Sequence, residues 1–196
     1  MKTFRAVAAL LTLFASGSVF AASPHSEANA QVAGITDHVV DNLWRKTDTY
    51  WHDGDYARII ALTRVVVEAD PQFYEAWSSG AWLLWSSDDT PGADAFLRYG
   101  IARNPNTYHL HHDLGWHLFN TKRFEQAVPH LEKATSFADT PVQPWKTLAH
   151  AYEKLNRPAD ALATWKTIAA RFPQDPAITP NLRRLETTPL AAPAAP

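Results

Sequence analysis

A spacing of 34 residues recurs along this chain and constrains its fold more than any other feature. Pro71, Pro105 and Pro173 lie 34 and 68 residues apart, and Asp139 occupies the position between the last two. Three further columns keep the same spacing: Ala93, Ala127 and Ala161; Ala81, Gly115 and Ala149; Leu97, Leu131 and Trp165. A fixed period of this length is typical of a repeat protein, in which each repeat packs against its neighbours.

Each period has the pattern of two amphipathic helices joined by a turn. Apolar residues recur three and four apart on either side of turns at 53–55, 88–92, 121–123 and 156–158. The prolines between periods are typical of the end of a second helix. We therefore predict an all-α, right-handed α-solenoid. Its four helix-turn-helix units are expected at 40–73, 74–107, 108–141 and 142–175.

The last two units resemble the tetratricopeptide repeat (TPR), whose signature is W-x2-L-G-x2-Y, then A-x3-F, then P. The last unit reads Trp145-x2-Leu148-Ala149-x2-Tyr152, Ala161-x3-Trp165, Pro173, and the one before it has Leu114-Gly115-x2-Leu118 and Ala127-x3-Leu131. The resemblance implies a solenoid that binds other proteins or peptides. The first unit departs from the signature, with Lys46 and Thr47 in place of Leu and Gly and with Ile59 in the alanine column.

The two ends of the chain follow other patterns. Lys2 and Arg5 precede an apolar run and the small-residue site Val19-Phe20-Ala21, which predicts a signal peptide at 1–21 and no stable membrane insertion. With no cysteine to lipidate, a periplasmic or secreted protein is expected. Residues 22–39 are expected to form an N-terminal extension, of which 22–34 are expected to be loose. Residues 176–187 are expected to form a capping helix, and 188–196 a disordered Ala/Pro-rich tail.

The eight tryptophans fall into two groups when they are placed on the repeat. Trp77, Trp145 and Trp165 occupy packing positions and are expected in the core. Positions 2, 5, 9 and 12 of a unit share the arc that lines the concave face of a TPR solenoid. The residues there are Trp44, Trp51, Trp82, Trp85, His109, His112, Trp116, Phe119, Lys146 and His150. They form either an exposed binding surface or rings that pack on one another or on the N-terminal segment.

Composition and motifs limit the function classes. Removing 1–21 leaves 16 basic and 20 acidic residues, a formal charge of −4, which disfavours nucleic acid. The absence of cysteine excludes disulfides and thiolate metal sites. No nucleophile elbow, zinc-protease motif, P-loop or dinucleotide fingerprint occurs, so we expect no enzyme and no cofactor. The Lys and Asn residues of the family's carboxylate clamp are largely replaced by aromatic residues, which argues against that mode.

Three interpretations of function stay open. The first is a non-enzymatic adaptor that binds a segment of another envelope protein through its aromatic concave face. The second is a periplasmic protein that binds a ligand or a metal ion, with His109, His112 and His150 as weak candidate metal ligands. Histidines on that face could also make binding sensitive to pH. The third is an assembly scaffold that associates with itself.

Overall fold

A computed structural model describes the backbone of residues 24–187 and the side chains of residues 32–187. This part of the chain contains nine helices and no strand. The helices are α1 (Pro24–His52), α2 (Tyr56–Ala69), α3 (Tyr74–Ser86), α4 (Thr90–Arg103), α5 (Tyr108–Asn120), α6 (Phe124–Thr135), α7 (Val142–Lys154), α8 (Pro158–Arg171) and α9 (Ile178–Thr187). The chain divides into residues 1–35, which include the start of α1, and residues 36–196, which carry the solenoid.

The turns inside the helix pairs reproduce the 34-residue spacing. The helices that follow these turns, α2, α4, α6 and α8, begin at residues 56, 90, 124 and 158. Two residues before each of them the backbone has a positive φ, at Gly54 (71°), Asp88 (65°), Lys122 (61°) and Asn156 (54°). Glycine, aspartate and asparagine adopt this left-handed conformation readily, whereas lysine does so at a cost.

Small residues allow the two helices of a pair to approach closely. Ala93, Ala127 and Ala161 are fully buried. Opposite them in the third pair, a Cβ built on Gly115 would lie 2.6 Å from Leu131 Cγ. Leu131 is itself fully buried, so little space remains for an added methyl group. The alternation of small and large residues seen in the sequence therefore sets the helix-to-helix spacing.

The capping helix predicted after the last repeat is present as α9, which packs against α8. Ile178 and Leu185 are buried there, with Leu182 partly buried beside them. Arg184 on the outer side pairs with Glu153 of α7 at 2.7 Å. An apolar face and an ion pair thus hold α9 over the end of the solenoid.

Two expectations need correction. The first helix was expected to begin near residue 40, but α1 begins at Pro24, so residues 24–34 are helical rather than loose. Trp145 is only partly buried, with the Arg171 guanidinium 5.1 Å from its ring, while the neighbouring Pro144 is fully buried. Trp77 and Trp165 are fully buried as expected. The expected signal peptide and C-terminal tail lie outside the described residues.

A helix that spans a membrane is a long and mostly apolar segment. None of the helices described between residues 24 and 187 has the length and apolarity that crossing a bilayer requires. The longest of them, α1, is rich in polar residues along its 29 positions.

Candidate binding groove

The larger of the two cavities described for this structure lies between α1 and α3 and has a volume of about 720 Å³. We call it the α1–α3 cavity. Its walls are formed by Trp44, Arg45, Thr47, Asp48, Trp51, Ile59, Ser78, Ser79, Trp82 and Leu83. Consecutive helices from α2 to α9 pack closely on one another.

The second cavity lies between α3 and α5, with a volume of about 300 Å³, and we call it the α3–α5 cavity. It is lined by Ser78, Ala81, Trp82, Trp85, Leu97, His112, Asp113, Trp116 and His117. Ser78 and Trp82 belong to both linings. The two cavities thus adjoin along α3, and together we call them the aromatic groove.

The groove tryptophans contact each other in pairs across the helices. Trp51 of α1 and Trp82 of α3 have ring centroids 6.1 Å apart, and Trp85 of α3 and Trp116 of α5 meet edge to face at 6.0 Å. Despite these contacts Trp51, Trp82 and Trp116 remain 47%, 43% and 40% exposed. Trp44 is partly buried against Phe73, at 5.0 Å. The rings are therefore held in place by one another and still present apolar surface to solvent.

A polar link joins the walls of the α3–α5 cavity. The Ser78 hydroxyl on α3 donates a hydrogen bond to Asp113 Oδ2 on α5, at 2.5 Å. His112 Nδ1 lies 3.6 Å from the other oxygen of the same carboxylate. No motif in the sequence pointed to this pair, because the two residues are 35 positions apart. One repeat plus one residue separates them, so adjacent first helices bring them together.

His117 also lines this cavity, although it occupies position 10 of its repeat, outside the positions expected on the concave face. It is buried, with Nε2 2.9 Å from Asp94 Oδ1, and its ring meets Trp85 edge to face. Asp94 also accepts hydrogen bonds from the Arg123 guanidinium, at 2.5 and 2.8 Å. Burial lowers the pKa of His117 even though Asp94 acts in the opposite direction. The imidazole is therefore a neutral part of the cavity wall at neutral pH.

The Asp94 carboxylate balances the charge of Arg123 on the same side. Burial acts to raise the pKa of Asp94, but the hydrogen bonds and charge of Arg123, together with His117, hold it below its usual range. The pair leaves no unmatched charge behind the His117 ring.

Four residues expected on the concave face lie outside both linings. Phe119 packs edge to face on Phe124, at 5.3 Å. Lys146 pairs with Asp175 at 2.6 Å, and His150 lies 3.4 Å from Glu153. His109 is stacked between two tyrosine rings, on Tyr108 at 4.0 Å and on Tyr74 at 4.3 Å.

The three histidines proposed as metal ligands are not gathered at one place. His112 faces the α3–α5 cavity, His109 is in its tyrosine stack and His150 is near Glu153. Within residues 32–187, no cluster of three or more histidine, aspartate or glutamate side chains is arranged to hold a metal ion. Burial lowers the pKa of His109.

The fold matches several solved bacterial structures. PilF of Pseudomonas aeruginosa superposes with a TM-score of 0.62 over 76% of this chain and 68% of its own, at 19% sequence identity. MamA superposes with a TM-score of 0.58 over 80% and 81%, at 14% identity. Both are TPR-type proteins. This chain has a tetratricopeptide repeat fold.

The likeness extends to MamA from Desulfovibrio magneticus RS-1, with a TM-score of 0.57 over 79% of this chain and 84% of that one, at 14% identity. No protein-family model and no curated protein matches the sequence. At these identities the likeness shows the helical-repeat fold alone.

Proposed function

We propose that this TPR protein is a non-enzymatic adaptor that binds a segment of another protein in the aromatic groove. The observation that carries the proposal is the run of partly exposed indoles on α1, α3 and α5, which the adjoining cavities connect. Tryptophan is the residue most enriched at the energetic centres of protein interfaces. Rings already fixed by their neighbours lose little conformational freedom on binding, which favours affinity.

The shape of the groove favours a peptide segment as the bound part of the partner. The α1–α3 cavity is open and wide, and it leads along α3 into the smaller α3–α5 cavity. An extended or helical segment lying across α3 would contact Trp51, Trp82 and Trp116 in turn. Arg45 and Asp48 on the rim could orient its polar groups. The TPR fold of the structural neighbours supports the same role.

The place of action that we propose is the cell envelope. The basic start, the apolar run and the small residues before Ala22 support export and cleavage. The partner would then be another envelope protein. If this is correct, protein recovered from the periplasm of an expressing bacterium begins at Ala22 by N-terminal sequencing. Recovery of the uncleaved chain in the cytoplasm would contradict it.

A peptide selection tests the adaptor role. A phage-displayed library of random peptides is selected on residues 22–196, and binding is measured by titration of synthetic peptides. We expect the double change Trp82→Ala and Trp116→Ala to weaken binding at least tenfold, since each truncation removes a partly exposed indole. Circular dichroism verifies that the helices persist.

Tyr99→Ala is the matched control for the selection. Tyr99 is 43% exposed, as Trp82 is, but it lies on α4 outside both linings, where it hydrogen-bonds Glu68. Binding should survive this change. Peptides that bind the tryptophan double variant as tightly as the parent protein would refute the groove as the binding site.

A further inference from the structure

The α3–α5 cavity combines aromatic walls with a single fixed charge. Trp82, Trp85 and Trp116 contribute three indoles, two of which stand at 87° to each other as adjoining walls. Among the described residues that line it, Asp113 is the only member of the aspartate, glutamate, lysine and arginine set. Tryptophan faces and a carboxylate are both features that attract an organic cation.

From this lining we infer that the α3–α5 cavity binds an arginine side chain of the partner segment, with its guanidinium among the three indoles and against Asp113. The inference rests on the proposed function and names the anchor residue of the partner. The rest of the partner segment would then bind in the neighbouring α1–α3 cavity.

The carboxylate is placed to accept further hydrogen bonds. Asp113 accepts one from Ser78 and lies near His112, and each carboxylate oxygen can accept two. The Ser78 bond fixes its rotamer from the opposite wall of the cavity, so the acceptor is preorganised. The Asp113 side chain is 23% exposed, which leaves it accessible from the cavity.

No lysine or arginine in the described lining opposes a cation. The Arg123 guanidinium lies beyond His117 and is matched by Asp94 through two hydrogen bonds. Burial keeps the pKa of His117 low, so this ring does not add a charge at neutral pH. The electrostatics of the cavity therefore favour a positively charged ligand group over a carboxylate.

Size and shape favour arginine over other cations. A volume of about 300 Å³ is at the lower end of ligand pockets, which fits one long side chain rather than a larger cofactor. A guanidinium is planar, stacks on indole faces and offers paired donors to a carboxylate, whereas an ammonium is a compact and strongly hydrated point charge. The indole walls and the Asp113 carboxylate of this cavity therefore match a guanidinium better than an ammonium.

Two blocked amino acids test the inference on the unmodified protein. N-acetyl-arginine methylamide and N-acetyl-citrulline methylamide have the same shape, but only the first is charged. Binding is followed by the eight indole N–H signals of ¹⁵N-labelled residues 22–196, assigned by single Trp→Phe changes. We expect the arginine probe to shift the signals of Trp82, Trp85 and Trp116, and to bind at least tenfold more tightly than citrulline.

Variants and further probes separate the possible outcomes. Asp113→Asn keeps an oxygen acceptor for Ser78 and should remove most of the preference for arginine. Glu186→Gln, at an exposed position of α9, makes the same charge change and should leave the preference intact. Equal binding of arginine and citrulline, or a preference that survives Asp113→Asn, would overturn the inference. Tetramethylammonium that binds more tightly than the arginine probe would also overturn it, in favour of a small organic cation.

The peptide selection distinguishes this inference from the proposed function. Selected peptides that depend on Trp82 and Trp116 but contain no arginine would overturn the arginine anchor and leave the adaptor role standing. Peptides that bind equally well after both tryptophans are changed would refute the aromatic groove as the binding site, and with it the proposed function.

Discussion

The partly buried histidines His111 of α5 and His130 of α6 make the stability of this protein sensitive to mild acid, and His130 provides the sharpest test. Its ring lies 5.8 Å from that of His111, whose pKa is also lowered by burial and by Lys133. Burial, together with the charges of His111 and Arg98, lowers the pKa of His130 from 6.5 to about 4. Protonation of either ring is therefore opposed in the folded state.

The direction and size of the effect follow from proton linkage. In the unfolded chain His130 binds a proton below about pH 6.5, while in the folded protein it stays neutral until about pH 4. Stability from this group is complete above pH 6.5 and is lost as the pH falls toward 4. pH 5 lies about 1.5 units below the pKa of the unfolded-state ring. At 1.36 kcal/mol per unit, the loss of folding stability at that pH is about 2 kcal/mol. Solvent that reaches part of the ring reduces this to between about 1 and 2 kcal/mol.

Urea denaturation at pH 7.5 and pH 5 measures this difference. His130→Gln, which cannot titrate, should lose less stability between the two pH values than the parent protein, by about 1 to 2 kcal/mol. His38→Gln removes an exposed histidine of α1 and should leave the pH dependence unchanged. Parent and His130→Gln proteins that lose equal stability would refute the reasoning, because the ring would then titrate alike in both states.

Three further predictions concern single contacts, each measured by urea denaturation. Gly115→Ala should destabilise the protein by about 1 kcal/mol, since a methyl group 2.6 Å from Leu131 Cγ costs more than the gain in helix propensity; a more stable variant would contradict this. Ser78→Ala should cost about 1 to 2 kcal/mol by removing the hydrogen bond to Asp113, and an unchanged midpoint would show that the bond contributes nothing. Lys122→Gly should stabilise by about 0.5 kcal/mol, because glycine relieves the left-handed backbone at φ 61° while widening the unfolded ensemble; a loss above 1 kcal/mol would argue against strain there.

The period of the sequence predicted the helix pairs well because it records a backbone requirement. Residues 54, 88, 122 and 156 all need a positive φ two positions before a helix begins, and the small and large columns meet at fixed helix crossings. These requirements recur every 34 residues. A periodic requirement is visible in one sequence without any knowledge of distant contacts.

Features that depart from the 34-residue period were harder to predict from the sequence. Nothing in the repeat signature indicates that α1 starts at Pro24, because residues 24–39 precede the first unit and belong to no repeat. The pairing of Lys146 with Asp175 depends on how the chain after α8 returns to α7. The position of His117 around its helix predicts that it lies off the concave face. That position takes no account of its contact with Asp94, at 2.9 Å. Such contacts are set by tertiary packing and have no local signal.

The departures of the first repeat from the signature account for the larger of the two described cavities lying there. Thr47 replaces the small residue found at Ala81, Gly115 and Ala149, and Ile59 occupies the column of Ala93. Both bulky residues line the α1–α3 cavity. Bulkier side chains at these two positions are expected to hold the helices of the first pair further apart than alanine or glycine does in the later pairs.

The double change Thr47→Ala and Ile59→Ala tests this account. A buried isoleucine truncated to alanine ordinarily costs about 2 to 5 kcal/mol when the cavity stays open. If the bulky pair holds α1 away, its removal lets α1 settle against α2, and the cost should fall below about 2 kcal/mol. Amide hydrogen exchange in residues 40–52 should slow as the helix packs. Ile168→Ala, which truncates a fully buried residue in the closely packed α8, is the control and should show the full cost. A full cost in the double variant with unchanged exchange would mean that something other than these two side chains keeps the cavity open.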